Sequence, residues 1–157
     1  MAKTSMRFTS QIAGLPNVIF DLVADMPNYP RWLPDSASFG GTINVSPYPV
    51  RLGTTYLDAG PIEKPGSVTE FDRPTHIGFR HTVQIRRGPI RADIDARIRY
   101  SFEPRSGGTF VQRELELTSH LQGLARLLKA VILWSFRKEN VRTLAKLKHY
   151  VEAEQKR

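Results

Sequence analysis

An alternation of apolar and charged residues over residues 90–102 constrains the fold more than any other feature of the chain. This stretch reads IRADIDARIRYSF, with the period of two that is typical of a β-strand with one buried face. Burying so many unpaired charges would cost more free energy than a domain's whole stability, so we expect the charged face to meet solvent. The opposite face is predicted to point into the core, and it carries Ala92, Ile94, Ala96, Ile98, Tyr100 and Phe102.

Six other stretches have strand-like patterns and are separated by residues that favour turns. They cover residues 6–12, 39–45, 54–59, 67–71, 76–85 and 109–118. Their separators, such as SPYPVRLG and EPRSGG, are rich in glycine and proline. Because consecutive strands on short loops pair antiparallel, the sequence predicts one antiparallel sheet of about seven strands.

Residues 18–34, VIFDLVADMPNYPRWLP, predict two short helices with a corner between them. Apolar residues occupy one helical face, and Pro16 suits the first turn. Pro27 lacks an N–H, so the first helix should stop near residue 25 or 26. Pro30 and Pro34 leave room for about one more turn over residues 29–33, which include Trp32.

A helical period returns at residue 118, and it predicts a long helix capped by Ser119 that runs towards Glu154. Its early stripe contains Leu121, Leu124, Leu128, Val131 and Ser135, whereas Val141, Leu144, Leu147 and Val151 lie about half a turn away. Either the helix changes its packing partner near residue 137, or its second half presents cations over an open end of the sheet. We favour the change of partner, because the later leucines need burial.

The order of these elements predicts an α+β fold, and 157 residues without an internal linker predict one domain, residues 1–157. The lack of cysteine excludes disulfides, thiolate metal sites and a cysteine nucleophile. No two histidines are spaced for a metal site on a helix, and no phosphate-binding or dinucleotide-binding motif occurs, so no cofactor is indicated. Without an apolar leader or a membrane-length apolar run, we expect a soluble cytoplasmic protein with no transmembrane segment.

Two polar residues are predicted to point towards the core. His81 shares a strand face with Phe79, and Arg113 shares one with Leu115. A buried guanidinium needs an acid, water or a ligand, unless a strand-end salt bridge or a bulge turns it outward. His81 could be an ordinary hydrogen-bonded core histidine. The two alanines of residues 90–102 leave volume that a facing helix fills or that remains as a cavity.

Several segments together resemble the START-like helix-grip superfamily (SRPBCC), in its polyketide cyclase/dehydrase branch. They are VIFDLVADMPNYPRWLP, GTTYLDAG, PGSVTEFDRPTHIGFR, GGTFVQRELEL and the terminal LKHYVEAE, in this order over nearly the whole chain. The resemblance implies a curved antiparallel sheet around a long C-terminal helix, with two short helices after the first strand. It also implies a deep apolar cavity that takes lipids, polyketides or aromatic compounds.

The first functional hypothesis is therefore a binding protein for a hydrophobic or amphipathic small molecule with an acidic or carbonyl-bearing end, oriented by Arg113. The candidate ligand-contacting residues are Trp32, Tyr56, Phe79, His81, Ala92, Ile94, Ala96, Ile98, Arg113, Leu124, Leu128 and Val131. For Trp32 a structural role is equally open. The sequence leaves open whether the protein is a monomer or a homodimer.

The second hypothesis is a cyclase or aromatase acting on a β-ketone chain. His81 would be its base, Arg113 its oxyanion partner, and Tyr56 or Tyr100 its proton donor. The third is a binder of nucleic acid or acidic membrane, because the net charge is +8. Its candidate residues are Arg86, Arg87, Arg91, Arg137, Lys138, Arg142, Lys146 and Lys148. Nucleic acid is disfavoured as a partner, because these residues include no aromatic stacking platform.

Overall fold

A computed structural model describes residues 2–157. Its strands are β1 (Ala2–Ile12), β2 (Thr42–Ser46), β3 (Thr55–Asp58), β4 (Lys64–Asp72), β5 (His76–Arg87), β6 (Ile90–Arg105) and β7 (Gly108–Gly123). The helices are α1 (Pro16–Ala24) and α2 (Lys129–Gln155), with short 3-10 segments at Met26–Arg31 and Leu124–Arg126. One antiparallel sheet has the order β1-β7-β6-β5-β4-β3-β2, so the predicted seven-stranded α+β fold is confirmed.

Strand β6 has the predicted orientation. Ala92 and Ala96 are fully buried, whereas Arg97 on the opposite face is exposed. The charges on the outer face pair across strands, as Arg80 does with Asp95 at 2.6 Å. The alternation identified the inner face correctly because a one-residue shift would have buried every one of these charges.

The corner after α1 forms as predicted, but the second helical segment begins earlier. It covers Met26–Arg31 rather than residues 29–33, because Pro27 lies in its first turn, where a missing N–H costs nothing. Trp32 follows this segment and is buried. The Tyr29 hydroxyl donates a hydrogen bond to the Val23 carbonyl at 2.5 Å, which holds the corner closed.

The predicted start of the long helix was wrong. Strand β7 continues to Gly123, and Ser119 is a buried strand residue opposite Ile94 rather than a helix cap. The apolar residues from Leu117 to Leu121 fit a period of two as well as a helical stripe, and the long partner strand β6 selects the strand. Helix α2 has 27 residues and is therefore about 40 Å long, instead of the roughly 50 Å that the sequence suggested.

Helix α2 packs with one continuous stripe, so neither predicted alternative for its second half holds. Its buried residues are Asn140, Thr143, Leu144, Leu147 and Val151, and the half-buried Ile132, Leu133 and Phe136 extend the stripe towards the N-terminus. Val141 is 50% exposed and belongs to the outer face, as do Lys138 and His149. The stripe was missed because the assumed phase began on residues that belong to β7.

The C-terminal half of α2 is tied to the end of β1. The Lys148 ammonium donates to the Gln11 carbonyl at 2.6 Å, and the Glu152 carboxylate accepts from the Ala13 N–H at 3.0 Å. Val151 approaches Gly14 so closely that a β-carbon there would lie 2.5 Å from its Cγ1. These contacts hold one half of the helix against the sheet and leave the other half free to cover a cavity.

Replacing Leu147 by alanine is expected to lower the free energy of unfolding by about 2–5 kcal/mol, because its side chain is fully buried between α2 and the sheet. Val141→Ala, on the outer face of the same helix, is the matched control and should change it by about 0.5 kcal/mol or less. Urea unfolding of both variants measures the difference. Equal losses would contradict the packing described for α2.

Candidate functional site

A cavity of about 510 Å³ lies between the inner face of the sheet and the N-terminal half of α2. Strands β3 to β7 form its floor, and the Met26–Arg31 segment with the loop that follows closes one side. Its walls are mainly apolar and aromatic, including Trp32, Phe39, Phe79, Ile98, Leu115 and Phe136. This volume lies within the range of about 300–1,000 Å³ that small-molecule sites usually have.

In the floor of the cavity, small residues alternate with large polar ones along a row that crosses the strands. Gly66 pairs with Tyr56 on one side and with His81 on the other, and His81 pairs with Ala96. A β-carbon at Gly66 would lie 2.5 Å from the Tyr56 ring, so that ring lies directly over the glycine. Glycine and alanine in this row therefore let two large polar side chains occupy the cavity wall beside each other.

Arg113 is the main polar group of the cavity. It is 9% exposed, and its Nε donates to the Asn140 side-chain oxygen at 2.6 Å, while Nη1 donates to the Tyr100 hydroxyl. The guanidinium carbon also lies 4.8 Å from the centre of the Tyr100 ring. From the sequence we expected an acid, water or a ligand beside this cation. Its partners within residues 2–157 are instead a neutral amide and a phenol. Nη2 makes no hydrogen bond within the same residues.

His81 lies on the same wall and is 7% exposed. Its Nδ1 is buried without a hydrogen-bond partner within residues 2–157. Burial, together with the nearby cations Lys64 and Arg113, lowers the pKa of His81 to about 4, against an opposite effect of Asp95. His81 is thus a neutral imidazole at physiological pH, and its Nδ1 is both buried and unpaired.

The cavity wall also contains the charged residues Asp58 and Lys64, which sequence reasoning missed. Burial raises the pKa of the Asp58 carboxyl, although a 2.6 Å hydrogen bond from the Thr42 hydroxyl and the charges of Lys64 and Arg113 oppose this. Burial also lowers the pKa of Lys64, whose ammonium donates to the Ser38 carbonyl at 2.9 Å. Neither residue forms an ion pair within residues 2–157, so the side chains of both are available to contact a ligand.

A carboxylate of α2 fastens the loop that closes the cavity. Glu139 accepts hydrogen bonds from the Ser36 hydroxyl at 2.7 Å and from the Ser38 hydroxyl at 2.9 Å. Arg142 pairs with Glu139 at 2.9 Å and also donates to the carbonyl of Pro34. These polar contacts hold the loop over the cavity without filling it.

Most predicted site residues meet at this cavity, but five do not. Trp32, Tyr56, Phe79, His81, Ile98, Tyr100, Arg113 and Val131 line it. Ala92, Ile94 and Ala96 are buried on the inner face of the sheet but do not line the cavity. Leu124 and Leu128 are exposed, because they precede α2 rather than form its inner stripe.

The structure adds further lining residues that the sequence pattern contained only indirectly. They include Tyr29, Asp58, Lys64, Glu139, Asn140 and Thr143. Asp58 lies two residues after Tyr56 on β3, so the two share a face, and the same period of two could have identified it. Asn140 and Thr143 became recognisable only with the correct phase of α2.

The predicted basic surface is partly neutralised. Arg86 pairs with Asp93 at 2.7 Å, Arg142 with Glu139, and Lys148 with Glu152. The other members make no ion pair within residues 2–157, and they are Arg87, Arg91, Arg137, Lys138 and Lys146. Of the eight basic residues predicted from the sequence, five therefore remain without an ion pair within residues 2–157.

Two other features were sought over residues 2–157. No three histidine, aspartate or glutamate side chains come together there as potential metal ligands. No helix in this range has both the length and the apolar character needed to cross a membrane.

Comparison with known proteins then decides the family. The model of a family described as polyketide cyclase / dehydrase and lipid transport matches residues 3–152. The chain belongs to this family. The family assignment agrees with the resemblance seen in the sequence, whereas no curated protein matches the chain significantly.

Solved structures show the fold shared by this family member. An uncharacterised protein from Rhizobium leguminosarum is 13% identical with a TM-score of 0.68, over 97% of this chain and 96% of that one. A START superfamily protein from Mycobacterium smegmatis is 16% identical with a TM-score of 0.61, over 95% and 97%. The di-domain aromatase/cyclase BexL is 13% identical with a TM-score of 0.68, and the match covers 96% of this chain and 50% of BexL. At these identities the likeness shows the helix-grip fold.

Stability is expected to fall between about pH 6.5 and pH 4 because of His81. The folded protein holds the pKa of His81 at about 4, so the unfolded chain binds more protons in this range, and acidification favours unfolding by up to about 3 kcal/mol. His81→Phe should lose this part of the pH dependence, as urea unfolding at several pH values will measure. The raised pKa of Asp58 acts in the opposite direction in both proteins and therefore cancels. An unchanged pH dependence in His81→Phe would contradict a neutral, buried His81.

Proposed function

We propose that residues 1–157 form one ligand-binding domain that holds a hydrophobic or amphipathic small molecule, such as a lipid, a polyketide or an aromatic compound, in the cavity under α2. The ligand carries an acidic or carbonyl group that reaches Arg113. Apolar walls provide most of the affinity, and the few polar groups orient the molecule. The family match and the single core from Phe8 to Val151 support this proposal.

The observation that carries the proposal is a buried cation with only neutral protein partners. Taking a guanidinium out of water is costly unless an anion or several acceptors replace the lost hydration. Asn140 and Tyr100 supply two acceptors, and Nη2 still has donors to offer. A carboxylate, enolate or polarised carbonyl in the cavity would complete the set with charge-assisted hydrogen bonds.

A second feature supports an oxygen-bearing ligand. His81 has an unpaired buried Nδ1, and a neutral imidazole can either donate or accept one further hydrogen bond. Lys64 and Asp58 lie on the same wall without ion-pair partners. A ligand with one acidic end and a second polar group would satisfy more of these atoms than a plain hydrocarbon.

Arg113→Met combined with Asn140→Leu tests the role of Arg113. The pair removes the buried cation and its amide partner together, so the variant should unfold at the same or a higher temperature than the wild type. Wild-type protein should bind a fatty acid about tenfold or more tightly than the fatty alcohol of equal chain length, since hydrogen bonds to charged groups contribute about 1.5–3 kcal/mol. The variant should bind both equally. Titration calorimetry with the two ligands measures the ratio.

A preference for the acid that survives in the double variant would show that Arg113 does not recognise the ligand. The alcohol is the internal control, because its affinity reports the apolar cavity alone. Native mass spectrometry of protein purified from its own host supplies the natural ligand directly. A retained molecule with a carboxyl or β-keto group is the expected finding.

A second candidate is a cyclase or aromatase that abstracts a proton from the methylene of a β-ketone chain. The unpaired Nδ1 of His81 on the wall that also carries Arg113 favours it. The low pKa of His81 weighs against it, because such an imidazole is a weak base. Deuterium exchange at the methylene of a β-ketoacyl thioester, followed by NMR, tests this candidate. Exchange that requires His81 and is lost in His81→Phe would favour the enzyme, whereas bound ligand without exchange would favour a binding protein.

A further inference from the structure

The first part of α2 and the residues before it carry large apolar side chains on their outer side. We call this group the outer stripe, and it consists of Leu124, Leu127, Leu128, Val131 and Trp134. Leu127 is 80% and Trp134 is 60% exposed. Since single exposed apolar residues are common but contiguous ones mark interaction sites, the outer stripe needs a partner.

The side chains of the outer stripe are not needed for the core, because other residues of α2 already pack there. Leu127 and Leu128 directly precede α2, and Val131 and Trp134 lie one turn apart on its exposed side, while Ile132, Leu133 and Phe136 already supply the inner side. This part of the helix is therefore apolar on both sides. The second half of α2 is different, because its outer side bears polar residues such as Lys146 and His149.

Exposed cations flank the outer stripe. Arg126, Lys129, Arg137 and Lys138 are exposed within or beside it, and no acidic residue occurs between Glu116 and Glu139. The Lys138 ammonium lies 5.1 Å from the centre of the Trp134 ring.

The β5–β6 turn adds charge at the same end of the molecule. The Leu124 N–H donates to the Pro89 carbonyl at 3.2 Å, which places the turn beside the outer stripe. Arg87 and Arg91 in this turn are exposed and make no ion pair within residues 2–157. No acidic residue occurs from residue 73 to residue 92 either.

We propose that the outer stripe and its flanking cations dock onto a membrane surface containing anionic lipids. Leucine and valine side chains with a tryptophan enter the interfacial region, and the lysines and arginines contact the lipid phosphates. A symmetric pair of copies would bring these cations against each other, so a second copy fits poorly. Nucleic acid would meet aliphatic side chains where it needs aromatic stacking partners.

The position of the outer stripe connects it with the cavity. Val131 belongs to the outer stripe and also lines the cavity. Ile85 and Arg87, near the β5–β6 turn, line the cavity too. A membrane docked here would lie beside the part of the cavity that Val131 lines. Docking itself does not depend on the proposed ligand, because it uses only surface residues.

Co-sedimentation with lipid vesicles tests the proposal on the whole protein. The probes are vesicles of phosphatidylcholine alone and of phosphatidylcholine with about one third phosphatidylglycerol. We expect the mixed vesicles to bind about tenfold or more tightly, and added salt to weaken this preference. The emission of the exposed Trp134 should shift to shorter wavelength on binding.

Matched variants separate apolar insertion from plain charge attraction. Leu127→Ser combined with Trp134→Ser should weaken binding to the mixed vesicles about tenfold or more. Leu52→Ser, equally exposed but in the turn before β3, is the control and should bind as the wild type does. Lys138→Glu should weaken binding more than Lys146→Glu, which lies beyond the outer stripe. Since all these side chains are exposed, thermal unfolding should be unchanged and exclude misfolding.

Three results would overturn the proposal. One is equal or absent binding of wild-type protein to the two kinds of vesicle. Another is full binding by the Leu127→Ser, Trp134→Ser variant, which would leave charge attraction alone. The third is a wild-type dimer in solution that this variant converts to a monomer, which would mean that a second copy covers the outer stripe.

Discussion

The arrangement of this protein depends on the interaction of Arg113 with Asn140 and Tyr100. Tyr100 and Arg113 are direct neighbours on β6 and β7, and Asn140 lies near the middle of α2, so the three side chains join helix to sheet across the inside of the molecule. Beyond Asn140 towards the C-terminus the helix buries Leu144, Leu147 and Val151. Before it, the inner side of the helix only partly covers the sheet, and the cavity occupies the remaining space. The polar contact therefore marks where the close-packed core ends and the cavity begins.

This contact also sets the chemical character of the cavity. The Arg113 guanidinium has two neutral partners and retains further donors, whereas burial and two nearby cations hold the neighbouring imidazole of His81 neutral. Arg113 thus offers strong donors, whereas His81 is a weak base. That combination suits orientation of an oxygen-bearing ligand better than proton abstraction. The basic and apolar outer end of the molecule is consistent with a ligand taken from, or delivered to, an anionic surface.

The parts that sequence reasoning predicted well are those in which a local pattern has one physical solution. The charges of β6 admitted one inner face, the prolines after α1 admitted one corner, and alternation placed His81 and Arg113 on the inner side. The predicted start of α2 was wrong because residues 117–121 satisfy both a strand and a helix pattern. The error propagated to the helix phase, and from there to Leu124 and Leu128 as site residues and to the omission of Asn140.

The sequence by itself determined the α+β class, the seven strands and the inward direction of the two polar groups, because periodicity and charge burial are local properties of the chain. The order of its motifs carried the resemblance to the family. Only the tertiary structure decided where β7 ends, which side of α2 faces the sheet, and that Arg113 meets an amide and a phenol instead of an acid. These depend on the pairing of β6 with β7 over its full length and on the docking of α2 against β1. Such contacts join residues far apart in the chain, so no window of the sequence contains them.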